Sequence, residues 1–310
     1  MTLPPYQHTI TQKVRCSGIG LHSGLEVNLI IKPAPANTGI IFRRTDLPGK
    51  PSVPAHYKYI TDTTLATTLG VGDASVATVE HLMAAFMGMG IDNALVEIDG
   101  PEVPSLDGSA APFVLMLNKA RPVKQREKRT YIRILEPIQV RCEDKTLSIY
   151  PDNSLKITYS IDFNHPLIQQ QSYSMTFSEE TFCQEIANAR TFGFLYEVQN
   201  LKENGFALGG SLDNAIVMDD SSILNEGGLR FENEFVRHKI LDLLGDIALL
   251  GKPILGHIVV HKSGHTLHHR LLQKIGMQTG RWVECAGLLG QHNPQTGVGY
   301  VNVVAATAPF

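Results

Sequence analysis

The order helix, strand, turn, helix occurs twice in this chain, and this repetition limits its possible folds more than any other feature of the sequence. In the first half, apolar residues at helical spacing predict a helix over Val76–Met89, which Gly88 and Gly90 would end. A strand over Asn93–Ile98 and a second helix over about Pro112–Lys119 follow.

The second half repeats this order. Apolar residues at helical spacing predict a helix over Glu234–Leu250, and Gly251 and Pro253 are typical of a helix end. A strand over Gly256–His261 and a helix over Thr266–Ile275 come next.

Both main helices carry the pattern Val-x-His near their start, as Val79-Glu80-His81 and as Val236-Arg237-His238. The repeat therefore predicts two domains of similar build with one histidine at an equivalent position in each. If the two halves face each other across a cleft, these histidines would meet.

Alternating apolar and polar residues predict strands within Glu26–Lys32, Tyr131–Val140 and Leu155–Ile161. Strands followed by helices in each half favour an α+β fold over a doubly wound sheet. The basic stretch at residues 119–130 is interpreted as a solvated linker, with a phosphate-binding arm as the alternative. The predicted division is a first domain at 1–120, a linker at 121–130 and a second domain at 131–289.

Composition excludes several classes of protein. Hydrophobic residues make up 43% of the chain and charged residues 18%, which favours packed cores over disorder. A formal net charge of −3 argues against nucleic-acid binding. The four cysteines form no Cys-x-x-Cys pair, and neither a signal peptide nor an apolar run of about 20 residues is present, so we expect a cytoplasmic protein without stable membrane insertion.

His238, Asp242 and Asp246 follow one another at intervals of four, so on a helix they share one face. Burying such carboxylates is costly unless a partner compensates their charge, and a divalent cation would do so for His238 and Asp242. A solvent-facing helix side with a His/Asp pair is the alternative. Lys239 lies beside them and would add positive charge at the cleft edge.

Glu80 and His81 raise the odds of a metal site, because His81 would complete a His/His/Asp ligand set. Three protein ligands with an open fourth position are typical of catalytic zinc. Glu80 would then take a proton from zinc-bound water. A capped, partly exposed Glu-His pair remains the alternative.

His265 follows a predicted strand, where a turn would direct it into the cleft. A cationic imidazole there would stabilise an oxyanion and protonate a leaving amine, and Asp246 would keep it charged. The hydroxyl of Thr191 would also donate to an oxyanion, although core aromatics and a turn explain its segment equally well. The histidines without such companions are interpreted as surface or packing residues: His257, His261, His268 and His269.

Taken together, these segments resemble the UDP-3-O-acyl-N-acetylglucosamine deacetylases of lipid A biosynthesis, from about residue 5 to residue 280. The segments that carry the resemblance are Ser17–Gly24, Thr78–Leu82, Leu106–Ser109, Ala189–Phe194, Leu224–Phe231, His238–Asp246 and Lys262–His265.

The resemblance implies two α+β domains, each a sheet packed on helices, with the helices sandwiched between the sheets. It implies a zinc ion on His81, His238 and Asp242. The catalytic residues that it implies are Glu80 as general base, His265 with Asp246 behind it, and Thr191 at the oxyanion. The substrate-binding residues that it implies are Lys239, Phe192, Phe163 and Lys262.

The resemblance also implies an insert at about residues 194–217 that would form an apolar passage for a fatty acyl chain. The expected partner is a UDP-linked acylated amino sugar, and no protein partner is implied. Residues 290–310 are interpreted as a tail of unknown role. A non-catalytic sugar-nucleotide-binding or metal-sensing protein is the alternative function, although such a protein has no need of a base beside the metal.

Overall fold

The computed structural model describes residues 3–287, and it contains two five-stranded arrangements with the same strand order. The strands of the first half are β1 (Tyr6–Ile10), β2 (Val14–Ile19), β3 (Glu26–Pro33), β4 (Ile40–Arg44), β5 (Ser52–Pro54), β6 (Ile60–Asp62), β7 (Thr68–Val71), β8 (Ala74–Val76), β9 (Ala94–Ile98) and β10 (Pro122–Lys128). Those of the second half are β11 (Thr130–Ile134), β12 (Ile138–Cys142), β13 (Lys145–Tyr150), β14 (Leu155–Phe163), β15 (Gln169–Thr176), β16 (Phe192–Phe194), β17 (Ile216–Met218), β18 (Ile254–His261) and β19 (Trp282–Ala286).

The helices are α1 (Glu80–Gly88), α2 (Ala111–Lys119), α3 (Glu179–Thr181), α4 (Leu195–Glu203), α5 (Glu234–Ala248) and α6 (His265–Met277). Short 3-10 turns lie at Tyr57–Tyr59 and Thr279–Arg281, and a π-helical turn at Phe182–Ile186 continues α3.

The two sheets confirm the internal repeat. The first has the order β2-β3-β9-β4-β5, in which β4 and β9 run parallel and the other neighbours antiparallel. The second contains β12-β13-β18-β14-β15, in which β14 and β18 run parallel and the other neighbours antiparallel. Along the chain, the central strand of each sheet separates the two helices that the repeat predicted: β9 lies between α1 and α2, and β18 lies between α5 and α6.

Four of the helices, α1, α2, α5 and α6, form the layer between these sheets. α1 packs against α5, α2 lies near β2, and α5 and α6 lie on the second sheet. The crossing of α1 and α5 is very close because α5 has a glycine there: a Cβ added to Gly245 would lie 2.0 Å from the backbone oxygen of Glu80. The α+β fold with sandwiched helices is thus confirmed.

Several element boundaries differ from the prediction. α1 begins at Glu80 rather than at Val76, because residues 74–76 form β8 and Thr78 has a φ of 55°, which a helix does not accommodate. The predicted strand over Tyr131–Val140 is two strands, β11 and β12.

The predicted linker contains β10, which is mostly exposed and pairs antiparallel with β1. The domain limits themselves stay a prediction, and the predicted tail at 290–310 lies outside the described residues. No helix between residues 3 and 287 is long and apolar enough to cross a membrane.

Candidate functional site

His81, His238 and Asp242 meet where α1 crosses α5. Nε2 of His81 lies 3.6 Å from Oδ1 of Asp242, and Nε2 of His238 lies 3.3 Å from the same oxygen. All three side chains are buried. The two histidines meet, as predicted, but not from equivalent positions: His81 is the second residue of α1 and His238 is the fifth residue of α5.

This cluster fits a tetrahedral metal ion. Zinc–ligand distances of about 2.1 Å in a tetrahedron separate neighbouring ligand atoms by about 3.4 Å. The two nitrogen–oxygen distances of 3.6 and 3.3 Å agree with that separation. Two imidazoles and one carboxylate also form the donor set of a catalytic zinc site with an open fourth position.

The ring of His238 is held by its other nitrogen. Nδ1 of His238 lies 3.1 Å from the carbonyl oxygen of Ala189, which places Nε2 towards the cluster. The carbonyl is fixed by its neighbour Arg190, whose backbone amide and guanidinium bind the fully buried carboxylate of Glu234 at the start of α5. Sequence reasoning missed this ion pair, since its partners are 44 residues apart.

Lys239 is paired with the outer oxygen of the carboxylate in the cluster. Its Nζ donates to Oδ2 of Asp242 over 2.6 Å, while Oδ1 faces the two histidines. Burial would raise the pKa of Asp242, but His238 and Lys239 outweigh it and hold the pKa well below its usual range. The carboxylate is therefore ionised and ready to bind a cation.

Glu80 lies beside the cluster rather than in it. Its Oε1 is 3.7 Å from Nε2 of His265, and its Oε2 accepts the backbone N–H of Thr67 at 3.1 Å. Burial raises the pKa of Glu80, and the charges of His265 and His81 oppose that shift. A buried carboxylate with a raised pKa has the proton affinity that a general base needs near neutral pH.

His265 is held in its charged form. Its Nδ1 donates to Oδ2 of Asp246 over 2.7 Å. Burial would lower the pKa of His265, but the carboxylates of Asp246 and Glu80 outweigh it and raise the pKa to about 9. The pairing of His265 with Asp246 predicted from sequence is present.

His268 corrects one interpretation from the sequence. It was taken as a surface or packing residue without a companion, but it is completely buried and its Nδ1 lies 2.7 Å from Oδ2 of Asp246. The i, i+3 spacing of His265 and His268 in the first turn of α6 signals this arrangement, because it puts both rings on one helix face. Bonds of 2.7 Å around Asp246 are hydrogen bonds and are shorter than the spacing of ligands on one metal ion.

A large cavity of about 1170 Å³ opens over the cluster. Of the predicted site residues, all but Asp246 line it, including Thr191 and Phe192. Phe163 stacks edge-on against Phe192, with ring centroids 5.7 Å apart, and Lys262 lies at the cavity with Nζ 2.9 Å from Asp162.

The predicted insert forms one wall of this cavity. β16 and β17 pair in parallel and α4 connects them, so the chain makes a β-α-β crossover. Val198 and Leu201 of α4 and Ala207 beyond it line the cavity. The turn at residues 209–211 lies between helix and strand, as predicted.

Glu102 and His22 were missed from the sequence. Glu102 is buried and accepts hydrogen bonds from the hydroxyl of Thr78 and from the backbone N–H groups of His22 and Ser23. It thus holds Thr78, whose φ of 55° is strained and which lies two residues before α1. It also places His22 at the cavity, edge-on against Phe206 of the insert. No local pattern around Glu102 signals this role.

Known proteins are similar in sequence to this chain over most of its length. Residues 7–277 match the family described as LpxC: UDP-3-O-acyl N-acetylglycosamine deacetylase. A UDP-3-O-acyl-N-acetylglucosamine deacetylase of Myxococcus xanthus is 51% identical over 269 residues, which cover 87% of this chain and 86% of that protein. Proteins of the same description from Legionella pneumophila and Syntrophus aciditrophicus are 48% identical over 278 residues and 44% identical over 283 residues, covering 89% and 91% of this chain and 91% and 90% of theirs.

Proposed function

Because this chain belongs to the family of UDP-3-O-acyl-N-acetylglucosamine deacetylases, we propose that it uses zinc to hydrolyse the N-acetyl group of a UDP-linked, 3-O-acylated N-acetylglucosamine. The products are acetate and the free amine of the UDP-linked acyl-glucosamine. The reaction is an early committed step of lipid A biosynthesis, and we place it in the cytoplasm.

The observation that carries this proposal is the His81, His238 and Asp242 cluster with Glu80 and His265 beside it. The three residues of the cluster would hold the zinc ion. Zinc, when bound, supplies Lewis acidity towards a water molecule and towards the acetyl carbonyl oxygen.

Glu80 is the general base. Its carboxylate takes a proton from the attacking water, whose oxygen bonds to the acetyl carbonyl carbon. The hydrogen bond from the backbone of Thr67 holds one carboxylate oxygen, so the other is left to face the cleft and His265.

Thr191 and His265 stabilise the negative charge that develops after the attack. The hydroxyl of Thr191 donates to the acetyl oxygen as negative charge develops on it, and the imidazolium of His265 adds a positive charge beside it. The bond from the acetyl carbon to nitrogen then breaks. The nitrogen receives a proton from Glu80 or from His265, so acetate and amine together account for the atoms of the amide and water.

The cavity lining supports a set of proposed substrate contacts. Lys239 contacts phosphate or carbonyl oxygens, Phe192 borders the sugar, and Phe163 and Lys262 lie at the nucleotide. The insert at 194–217, with Leu201 in the wall, receives the fatty acyl chain.

The variant Glu80→Gln tests the proposal, because it keeps the shape of the side chain and removes the base. We expect zinc content to stay unchanged and kcat for acetate release to fall on the order of 10²–10⁴-fold. The control Glu203→Gln, on the exposed side of α4, should behave as wild type. Near-normal turnover in Glu80→Gln would refute the base assignment, and a wild-type protein that binds zinc and substrate without releasing acetate would be a non-catalytic binder.

A further inference from the structure

We propose that His268 is a positioning residue whose Nδ1–H holds the carboxylate of Asp246 in the orientation from which Asp246 supports His265. The inference rests on the proposed function, in which the imidazolium of His265 assists the oxyanion and the leaving amine. His268 itself does not line the cavity and acts through Asp246.

The geometry around Asp246 is the first support. Nδ1 of His265 and Nδ1 of His268 both lie 2.7 Å from Oδ2, and the hydroxyl of Thr67 donates to Oδ1 over 2.6 Å. One carboxylate therefore binds donors from α6 and from the segment before β7. With both oxygens held, the carboxylate plane cannot turn without breaking a bond.

Hydrogen-bonding chemistry then fixes the protons. An ionised carboxylate only accepts, so both Nδ1 atoms must carry a proton. Nε2 of His268 is buried and has no hydrogen-bond partner among residues 3–287. A bare ring nitrogen costs less there than an unpaired N–H, so His268 is neutral with its proton on Nδ1.

Charge supports the same assignment. The groups that face His268 are Asp246 and Lys239 of α5, its neighbour His265 on α6, and Tyr159 of β14, whose ring lies edge-on at 6.5 Å. Burial lowers the pKa of His268, and the positive charges of His265 and Lys239 lower it further against the pull of Asp246. The two rings on Asp246 thus carry different charges: His265 is an imidazolium and His268 a neutral donor.

A neutral second donor orients the carboxylate without competing for its charge. Without it, Asp246 could rotate away from Nδ1 of His265, and the imidazolium would lose part of its support. The loss should appear as a lower kcat and as an alkaline limb of the pH–rate profile at lower pH, with KM little changed.

Two amides of different reach test this directly. In His268→Asn the amide nitrogen occupies the place of Nδ1, whereas in His268→Gln it lies one bond further out, although glutamine is closer to histidine in size. We expect His268→Asn to keep the wild-type pH profile and kcat within about threefold, and His268→Gln and His268→Leu to lose about tenfold in kcat with the alkaline limb shifted down. If His268→Gln is closer to wild type than His268→Asn, side-chain volume matters rather than the hydrogen bond, and the proposal is wrong.

Histidine nitrogen NMR on zinc-loaded protein gives a readout that does not depend on turnover. We expect wild-type His268 to be neutral with its proton on Nδ1 across the pH range of activity, and the pKa of His265 to fall in His268→Gln but not in His268→Asn. A wild-type protein without acetate release would refute the proposed function and leave these NMR expectations intact. A proton on Nε2 of His268, or an unchanged His265 pKa in His268→Gln, would overturn the positioning role.

Discussion

Replacing Gly245 with alanine tests how the packing of two helices sets the geometry of the metal site. Gly245 lies on α5 at its closest approach to α1, one turn beyond Asp242. A Cβ at this position would lie 2.0 Å from the carbonyl oxygen of Glu80, 2.6 Å from its carbonyl carbon and 2.8 Å from its Cα. These are backbone atoms of α1, so no side-chain rotation relieves the contact.

The size of the effect follows from these distances. Ordinary van der Waals contact with the carbonyl oxygen requires roughly 1.5 Å more separation, so the helices must move apart or unwind locally. Overpacking of this kind costs up to about 3 kcal/mol, and the higher helix propensity of alanine offsets about 1 kcal/mol. A net loss of about 2 kcal/mol lowers Tm by roughly 3 °C in a chain of this size.

The same movement carries His81 away from Asp242, and Nε2 of His81 now lies 3.6 Å from Oδ1 of Asp242. Sites of this kind tolerate displacements of only about 0.5 Å. We therefore expect Gly245→Ala to lower zinc affinity, measured by chelator competition, as well as the Tm of the metal-free protein.

The control is Gly276→Ala on α6, where a Cβ would meet the hydroxyl oxygen of Tyr57 at 2.1 Å. That atom is the end of a side chain and can shift, so Gly276→Ala should lower Tm less and leave zinc affinity unchanged. Wild-type zinc affinity in Gly245→Ala would refute the view that this crossing sets the metal site.

Three further predictions concern other parts of the molecule. Arg190→Ala leaves the carboxylate of Glu234 buried without its main partner, so it should lower the free energy of unfolding by about 3–5 kcal/mol. The control Arg281→Ala, at an exposed ion pair, should change the free energy of unfolding by less than about 1 kcal/mol. Equal changes for the two variants in denaturant titrations would contradict this. Because the pKa of His265 is raised to about 9, its stabilising charge is fully present below the ordinary pKa of 6.5 and is lost as pH rises through 9. Acetate release should therefore decline above about pH 9. A pH–rate profile that stays flat beyond that pH would contradict the role of the charge on His265. Leu201→Ala widens the cavity at the insert and should shift substrate preference towards longer acyl chains in competition assays. An unchanged preference would show that Leu201 does not line the acyl passage.

The sequence predicted the fold and the main site because both depend on local patterns that occur twice. The helical spacing in each half, the glycines after it and the Val-x-His pattern predicted that His81 and His238 would meet, although the two residues lie at different positions of their helices. The spacing of four along α5 then put Asp242 and Asp246 on the same helix face.

The parts that the sequence did not reveal depend on contacts between distant segments. The hydrogen bond of His268 to Asp246 spans 22 residues, and the local spacing of His265 and His268 shows only that the two rings share a helix face. The ion pair of Arg190 with Glu234 spans 44 residues, and no local pattern marks it. The start of α1 was predicted four residues early because β8 and the residues after it share the apolar character of the helix.

Zinc content measured together with acetate release, before and after chelation, tests the central claim most directly. We expect the purified protein to hold one zinc ion per chain, to lose acetate release when a chelator removes it and to regain activity when zinc is returned. His81→Ala should lower both zinc content and activity. Full acetate release from zinc-free protein would contradict the account.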